Sequence, residues 1–251
     1  MTKKEVVAKE EHQLVGTQQD GAWGSENIDS EDIIVPRIML MQAMSELVSD
    51  GHASLGQYID SLNKDRVIAE KDKTFDVIVF GSDKKIMVNK NNEFEGFEDY
   101  TPDYVYEEVD AGGNVVNRNL LTQFYVLLVS DIEAGEAFPY VLSFTKTSTK
   151  EGKKLATLIK KLSMFKKPSA AKVFTIGSKQ ESNDKGKWFV PTVAMGRDST
   201  SEEMSQAYDF YKALMQTNNF KVDDSDIKKE ETETTEVQDS KEDMSQSTLR
   251  V

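Results

Sequence analysis

The architecture turns on residues 122–164, TQFYVLLVSDIEAGEAFPYVLSFTKTSTKEGKKLATLIKKLSM. Two runs in it, 122–130 and 136–144, are rich in β-branched and aromatic residues and flank the turn-like stretch 131–135, as the strands of a hairpin would. A helix should follow, because Ser148 and Glu151 stand at capping-box spacing. Leu155, Leu158, Ile159 and Leu162 recur at i, i+3, i+4 and i+7 and so share one helix face. Lys150, Lys153, Lys154, Lys160 and Lys161 fall on the other side, giving a helix that is apolar inward and basic outward.

Working outward, 74–80 (TFDVIVF) and 85–89 (KIMVN) read as two runs about the turn GSDKK, or as one long or broken strand over 74–89. On the other side, 171–177 and 187–195 flank NDKG at 183–186 and read as a second hairpin. Pro139 and Pro191 place their strands at edges or bulges, since proline gives nothing to a ladder. A second helix opens with Thr200 and Glu203 as its capping box and should bury Met204, Ala207, Tyr208, Tyr211, Leu214 and Met215. Three strands, a helix and two more strands is the order of the OB-fold, a small Greek-key barrel. The expected fold class is therefore mainly β with two helices (α+β), an OB-fold-like barrel. The region 33–70 adds further strands or a small subdomain, and 104–109 with 114–118 forms a projecting hairpin around Gly112-Gly113.

The chain has 251 residues, 38% apolar and 30% charged, with a net charge of −13. That charge is segregated. Residues 1–35 and 221–251 carry −5 each, whereas 36–220 carry only −3. Residues 1–32 and 221–251 lack the apolar content to offset the entropy of ordering and read as disordered. The expected organisation is thus an N-terminal segment 1–32, one domain at 33–220, and an acidic tail at 221–251. Within the domain, 93–110 (EFEGFEDYTPDYVYEEVD) holds eight carboxylates and no base, inside an acidic aromatic insertion at 93–118. Residues 146–179 hold ten lysines against Glu151 alone, a local +9. In a protein already kept soluble by acidic excess, such a patch points to an anionic partner.

Several function classes drop out. There is no cysteine, and His12 and His52 are the two histidines, which leaves little for thiol chemistry, zinc sites or a triad. No stretch approaches the apolar length of a membrane span, and the N-terminus lacks the apolar core of a secretory signal. Phosphate-loop, nucleophile-elbow and HExxH patterns are missing, so no enzyme, cofactor or metal is expected. Basic side chains interleaved with aromatics are what single-stranded nucleic acid requires: cations along the phosphates and flat rings for the bases. The candidate phosphate contacts are Lys146, Lys150, Lys153, Lys154, Lys185 and Lys187; the candidate stacking rings are Tyr125, Tyr140 and Trp188.

Together the Greek-key-like core, the lysine-bearing helix at 148–164, the strand with Lys187-Trp188-Phe189, the helix opened by STSEE at 199–203 and the acidic tail from Asp223 resemble a phage-type single-stranded DNA-binding protein. The likeness is one of layout and covers roughly residues 33–251. It implies an OB-fold core that coats single-stranded DNA with little sequence preference in replication or recombination, in the cytoplasm of a bacterial host. It also implies a tail, 221–251, that docks replication or recombination proteins, and it leaves room for self-association. The alternative is a phage virion or assembly component that makes protein contacts through the aromatic acidic hairpin at 93–118.

Overall fold

The computed structural model describes residues 33–91, 93–184, 186–217 and 221–223. The segment 1–32 and nearly all of the acidic tail, both expected to be disordered, lie outside the described residues. In chain order the elements are β1 (Ile34–Val35), β2 (Arg37–Leu40), α1 (Glu46–Ser49), β3 (Tyr58–Asp60), β4 (Val67–Ala69), β5 (Phe75–Lys90), β6 (Glu93–Asp99), β7 (Glu107–Val109) and β8 (Val115–Leu128). Then come α2 (Val129–Ala134), β9 (Pro139–Phe144), α3 (Thr149–Met164), β10 (Lys172–Asn183), β11 (Gly186–Asp198), α4 (Ser201–Thr217) and β12 (Lys221–Val222). The chain is mainly β: one curled sheet runs β11-β10-β5-β8-β9-β2-β3-β4, with β6 added on β5 and β7 on β8.

GSDKK is not a turn. It lies inside β5, which stays paired with β8 from Val77–Leu128 to Lys90–Val116 and absorbs one irregularity between Val79 and Gly81. The 131–135 connection is not a plain turn either: α2 fills it and ends at Gly135, whose φ of 75° needs the left-handed region open to glycine. The hairpin at 172–198 forms as the sequence implies, and Pro191 sits on β11, which pairs with β10 alone in this sheet. The extra strands at 33–70 form no separate subdomain. They extend the main sheet through β2, which runs parallel to β9.

Period-2 alternation then sorts the strands into two buried faces. Inside the curl, Val77, Val79, Phe124, Val126, Tyr140, Leu142, Phe144, Phe174 and Ile176 form one cluster, which Leu155 and Leu162 of α3 close from one end. Outside it, Ile78, Phe80, Tyr125, Leu127, Val141 and Val173 form a second, packed by Ala207, Phe210 and Leu214 of α4. Helix α3 sits very close to β9: a Cβ on Gly152 would lie 2.7 Å from the Cβ of Phe144.

The two ends of the curl meet through side chains. The Gln42 amide donates from Nε2 to the Phe189 carbonyl and accepts at Oε1 from the Phe189 N–H, both at 2.9 Å, completing the ladder edge that β11 presents. The Tyr58 hydroxyl donates to the Gly177 carbonyl at 2.8 Å, and Ser178 Oγ to that of Gly56 at 3.3 Å. Gly56, at φ 80°, lies so near the Phe189 ring that a Cβ would come within 2.7 Å of it.

The caps divide. Thr200 and Glu203 form the reciprocal box at α4, the Thr200 N–H donating to Glu203 Oε2 at 2.6 Å and the Glu203 N–H to Thr200 Oγ1 at 3.2 Å. Ser148 makes no such cap on α3. Its hydroxyl turns back to accept from the Thr145 N–H at 2.8 Å, within the 3-10 turn at 146–148. Glu151, the other half of the expected box, accepts from the Val193 N–H of β11 at 3.2 Å.

Two outcomes follow. Replacing Gln42 by Leu leaves both Phe189 backbone groups unpaired and should cost about 2 kcal/mol in urea unfolding. The second concerns Glu203, almost wholly buried, whose bond to Arg197 holds its carboxyl below its ordinary 4.5. A depressed folded-state value stabilises above the unfolded value and is lost as pH falls through the folded one, so stability should decline below about pH 4.5. Glu203→Gln should flatten that part of the acid limb; an unchanged limb would assign it to other carboxylates.

Candidate nucleic-acid interface

The upper halves of β5 and β8 leave the curled sheet as a ribbon, widened by β6 and β7 into the order β6-β5-β8-β7. Arg118 on β8 ties it together, its Nε 2.9 Å from Glu98 of β6 and its Nη1 2.6 Å from Glu108 of β7. Lys90 reaches Asp110 at 2.8 Å, and that contact, with backbone and side-chain donors from Asn114, holds the Asp110 carboxyl far below the carboxylate range. Three of the eight carboxylates of the acidic run, Glu98, Glu108 and Asp110, are thus paired within the ribbon. Phe94 and Phe97 are in edge contact at 5.1 Å and pack on Met87 and Leu121.

Between this ribbon and the start of α3 lies a cleft of about 720 Å³. Its walls are Tyr104 and Tyr106 from the acidic insertion, and Lys146, Thr147, Thr149 and Lys153 from the 3-10 turn and the first turns of α3; Asn89, Asn117, Asn119 and Leu120 complete the lining. Tyr106 is mostly exposed, while its backbone carbonyl accepts from the Arg118 N–H at 2.7 Å and so fixes its place beside β8. Tyr104 stands in edge contact with Tyr100, and Lys84 lies 4.9 Å from the Tyr100 ring centroid. The N–H groups of Ser148 and Thr149 already donate to the Thr145 and Lys146 carbonyls through the 3-10 turn, so what α3 adds at the cleft is the partial positive charge of its dipole. Lys146 holds φ at 46°, the left-handed region a non-glycine residue enters at a cost of about 1–3 kcal/mol, a strain that concentrates at ligand sites.

Asn89 and Asn117 are direct cross-strand partners, and Asn119 lies two residues along β8, so the three share one ribbon face. Asparagine is depleted from strands, and Asn89 is buried with its Oδ1 unpartnered. A buried polar atom left without a partner in the protein marks a place where something else can supply one.

Of the stacking candidates named from sequence, Tyr125 and Tyr140 are corrected. Tyr125 lies under α4 in the outer cluster beside Phe80, and Tyr140 lies in the cluster inside the curl. The Tyr140 hydroxyl meets Arg66 and Asp60, and burial pushes its phenol up to about 12. Neither ring offers a face to a base, and Phe124, on the opposite strand face from Tyr125, is core as well. Trp188 is half-buried with its Nε1 unpartnered, and it stands on β11 outside the cleft. Among the lysines, Lys146 and Lys153 line the cleft. Lys150 and Lys154 are exposed on the same helix, Lys154 at 3.5 Å from Glu151. Lys187 is exposed on β11, and Lys185 lies outside the described residues. What the sequence reading missed are Tyr104, Tyr106 and the three asparagines.

The sequence matches one protein family over residues 3–69 and 79–219, under the description Pam3 phage gp34-like protein. The chain belongs to that family. It is therefore a phage protein, as its layout suggested, and the match covers the whole cleft but stops short of the acidic tail. No curated protein and no solved structure matches it. Among the described residues no helix is long and apolar enough to cross a membrane.

Asn89→Leu removes an unpaired buried polar group, so it should leave the urea midpoint unchanged or raise stability by about 1 kcal/mol. A loss of more than that would mean Asn89 has a structural partner.

Proposed function

We propose that this phage protein binds single-stranded DNA in the cleft between the ribbon and α3, coating it without sequence specificity and without catalysis, in replication or recombination within the host cytoplasm. The observation that carries this reading is that the cleft places two tyrosines opposite two lysines at a helix N-terminus. Strand order supports it: β5, β8 and β9 form a meander, α3 follows, and β10 returns to pair with β5, which is the Greek-key order of an OB-like barrel. The rings of Tyr104 and Tyr106 would stack bases, each worth roughly 1–3 kcal/mol. Lys146 and Lys153 would take the phosphates, helped by the positive end of the α3 dipole, while Lys150 and Lys154 extend the basic track. Amides such as Asn89, Asn117 and Asn119 can donate or accept, which suits contact with any base.

The overall charge of −13 does not oppose this, because at physiological salt charges more than about 8 Å away are largely screened and the cleft acts locally. It would also discourage the protein from settling on duplex. The ends outside the described residues, the acidic tail above all, would add to that and could recruit replication proteins. The reading as a virion or assembly component depends on the ribbon aromatics as an outward face, and Phe94 and Phe97 already pack on the ribbon's own Met87 and Leu121.

Titration of labelled oligo-dT by anisotropy at several salt concentrations tests the proposal. Affinity should fall with salt, and duplex of equal length should bind far more weakly. Tyr106→Ala should weaken binding by about 1–3 kcal/mol, and Lys146→Ala with Lys153→Ala should lower the salt slope by about 0.7 per lysine. Lys187→Ala should change little. Absence of binding at low salt overturns the reading.

A further inference from the structure

Helix α4 leaves an apolar groove that the cleft does not use. The helical period would bury Met204, Tyr208, Tyr211 and Met215, yet they are 36%, 59%, 40% and 56% exposed; Ala207 and Leu214 alone of that set are buried. The groove encloses about 400 Å³ between α4 and the turn at 168–170, with Phe80, Pro168, Ala170, Met204, Tyr208 and Tyr211 around it. Phe80, Ala170 and Ala207 at its base belong to the outer cluster, which also holds Val35 of β1. Met164 and Phe165, both strongly exposed, stand just before Pro168 and lengthen the apolar surface.

We propose that this groove is the seat of the chain's own N-terminal segment, with the indole of Trp23 in the cavity. Four observations favour that occupant. The first is reach. The described chain begins at Ile33, next to β1, which runs parallel to β12 just beyond the end of α4. Trp23 stands ten positions before Ile33, a reach of roughly 33 Å when extended, whereas all of α4 is only about 25 Å long.

The second is charge. Between positions 20 and 32 stand Asp20, Glu26, Asp29, Glu31 and Asp32 with no base, while Lys166 and Lys167, both exposed, run directly into the Pro168 wall. The third is size and chemistry. An apolar cavity edged by the Tyr208 and Tyr211 rings, stacked at 6.4 Å, suits a flat indole. The acidic tail, 224–251, holds no aromatic residue to fill it. The fourth is family extent: the match begins at residue 3 and ends at 219, so the N-terminal segment belongs to the shared pattern and the tail does not. This docking is independent of the DNA-binding reading.

The test uses the full chain carrying Trp188→Phe, which leaves Trp23 as its one indole. Emission and acrylamide quenching should report a shielded Trp23 at every protein concentration. Met204→Glu or Tyr208→Ser, at exposed rim positions, should shift its emission to the red and raise quenching to that of a peptide of residues 18–30, with the far-ultraviolet circular dichroism unchanged. Should Met204→Glu disturb the fold, Tyr211→Ser provides the same comparison. Trp23 as exposed as in the peptide, or shielding indifferent to all three substitutions, overturns the proposal. Shielding that disappears on dilution also overturns it, assigning the groove to a second copy of the chain.

Discussion

Everything in this molecule depends on the length of one ladder. β5 and β8 stay paired from Val77–Leu128 to Lys90–Val116, across one irregularity between Val79 and Gly81. The lower half is buried on both faces, with α3 closing the inner cluster and α4 covering the outer one. The upper half has no second layer of its own, so β6 and β7 widen it and Phe94, Phe97, Met87 and Leu121 give it a small core. A shorter ladder would give the curled sheet with no ribbon, and with no ribbon there is no wall opposite the N-terminus of α3.

The same ladder makes the two charge extremes compatible. Eight carboxylates at 93–110 would repel a polyanion if they faced it as a block. Arg118 draws Glu98 and Glu108 to itself and Lys90 takes Asp110, and the insertion lines the cleft with Tyr104 and Tyr106, across from Lys146 and Lys153, and with no carboxylate. Because the field of exposed charge falls within a Debye length of about 8 Å, the arrangement of these pairs matters more than the sum of −13.

Much of the fold was legible because its signals are local. The leucines of α3, the Thr200–Glu203 box and the β-branched runs of β5, β8 and β10 each report their state within a few residues. What was not legible is tertiary. GSDKK has turn composition, but its pairing with 121–125 overrides that composition. Ser148 has cap spacing, but its hydroxyl is engaged in the turn before the helix. Strand alternation separates Phe124 from Tyr125 without revealing that α4 covers the outer face, so burial of both rings could not be foreseen. For the site, the lysine cluster was visible as composition; of the described lysines named, Lys146 and Lys153 line the cleft and Lys150, Lys154 and Lys187 do not. The partners across it, Tyr104, Tyr106 and Asn89, lie far away in sequence and met through the register of the ribbon. Three asparagines within strands were the one available hint.

On the proposed function, the ribbon and the start of α3 together hold a single strand. Photo-crosslinking of an oligo-dT carrying 5-iodouracil, followed by mass spectrometry of the conjugated peptides, addresses it most directly. Adducts are expected on Tyr104 and Tyr106, suppressed by rising salt. Adducts concentrated on the β10–β11 hairpin around Trp188, or on the exposed face of α4, would contradict it.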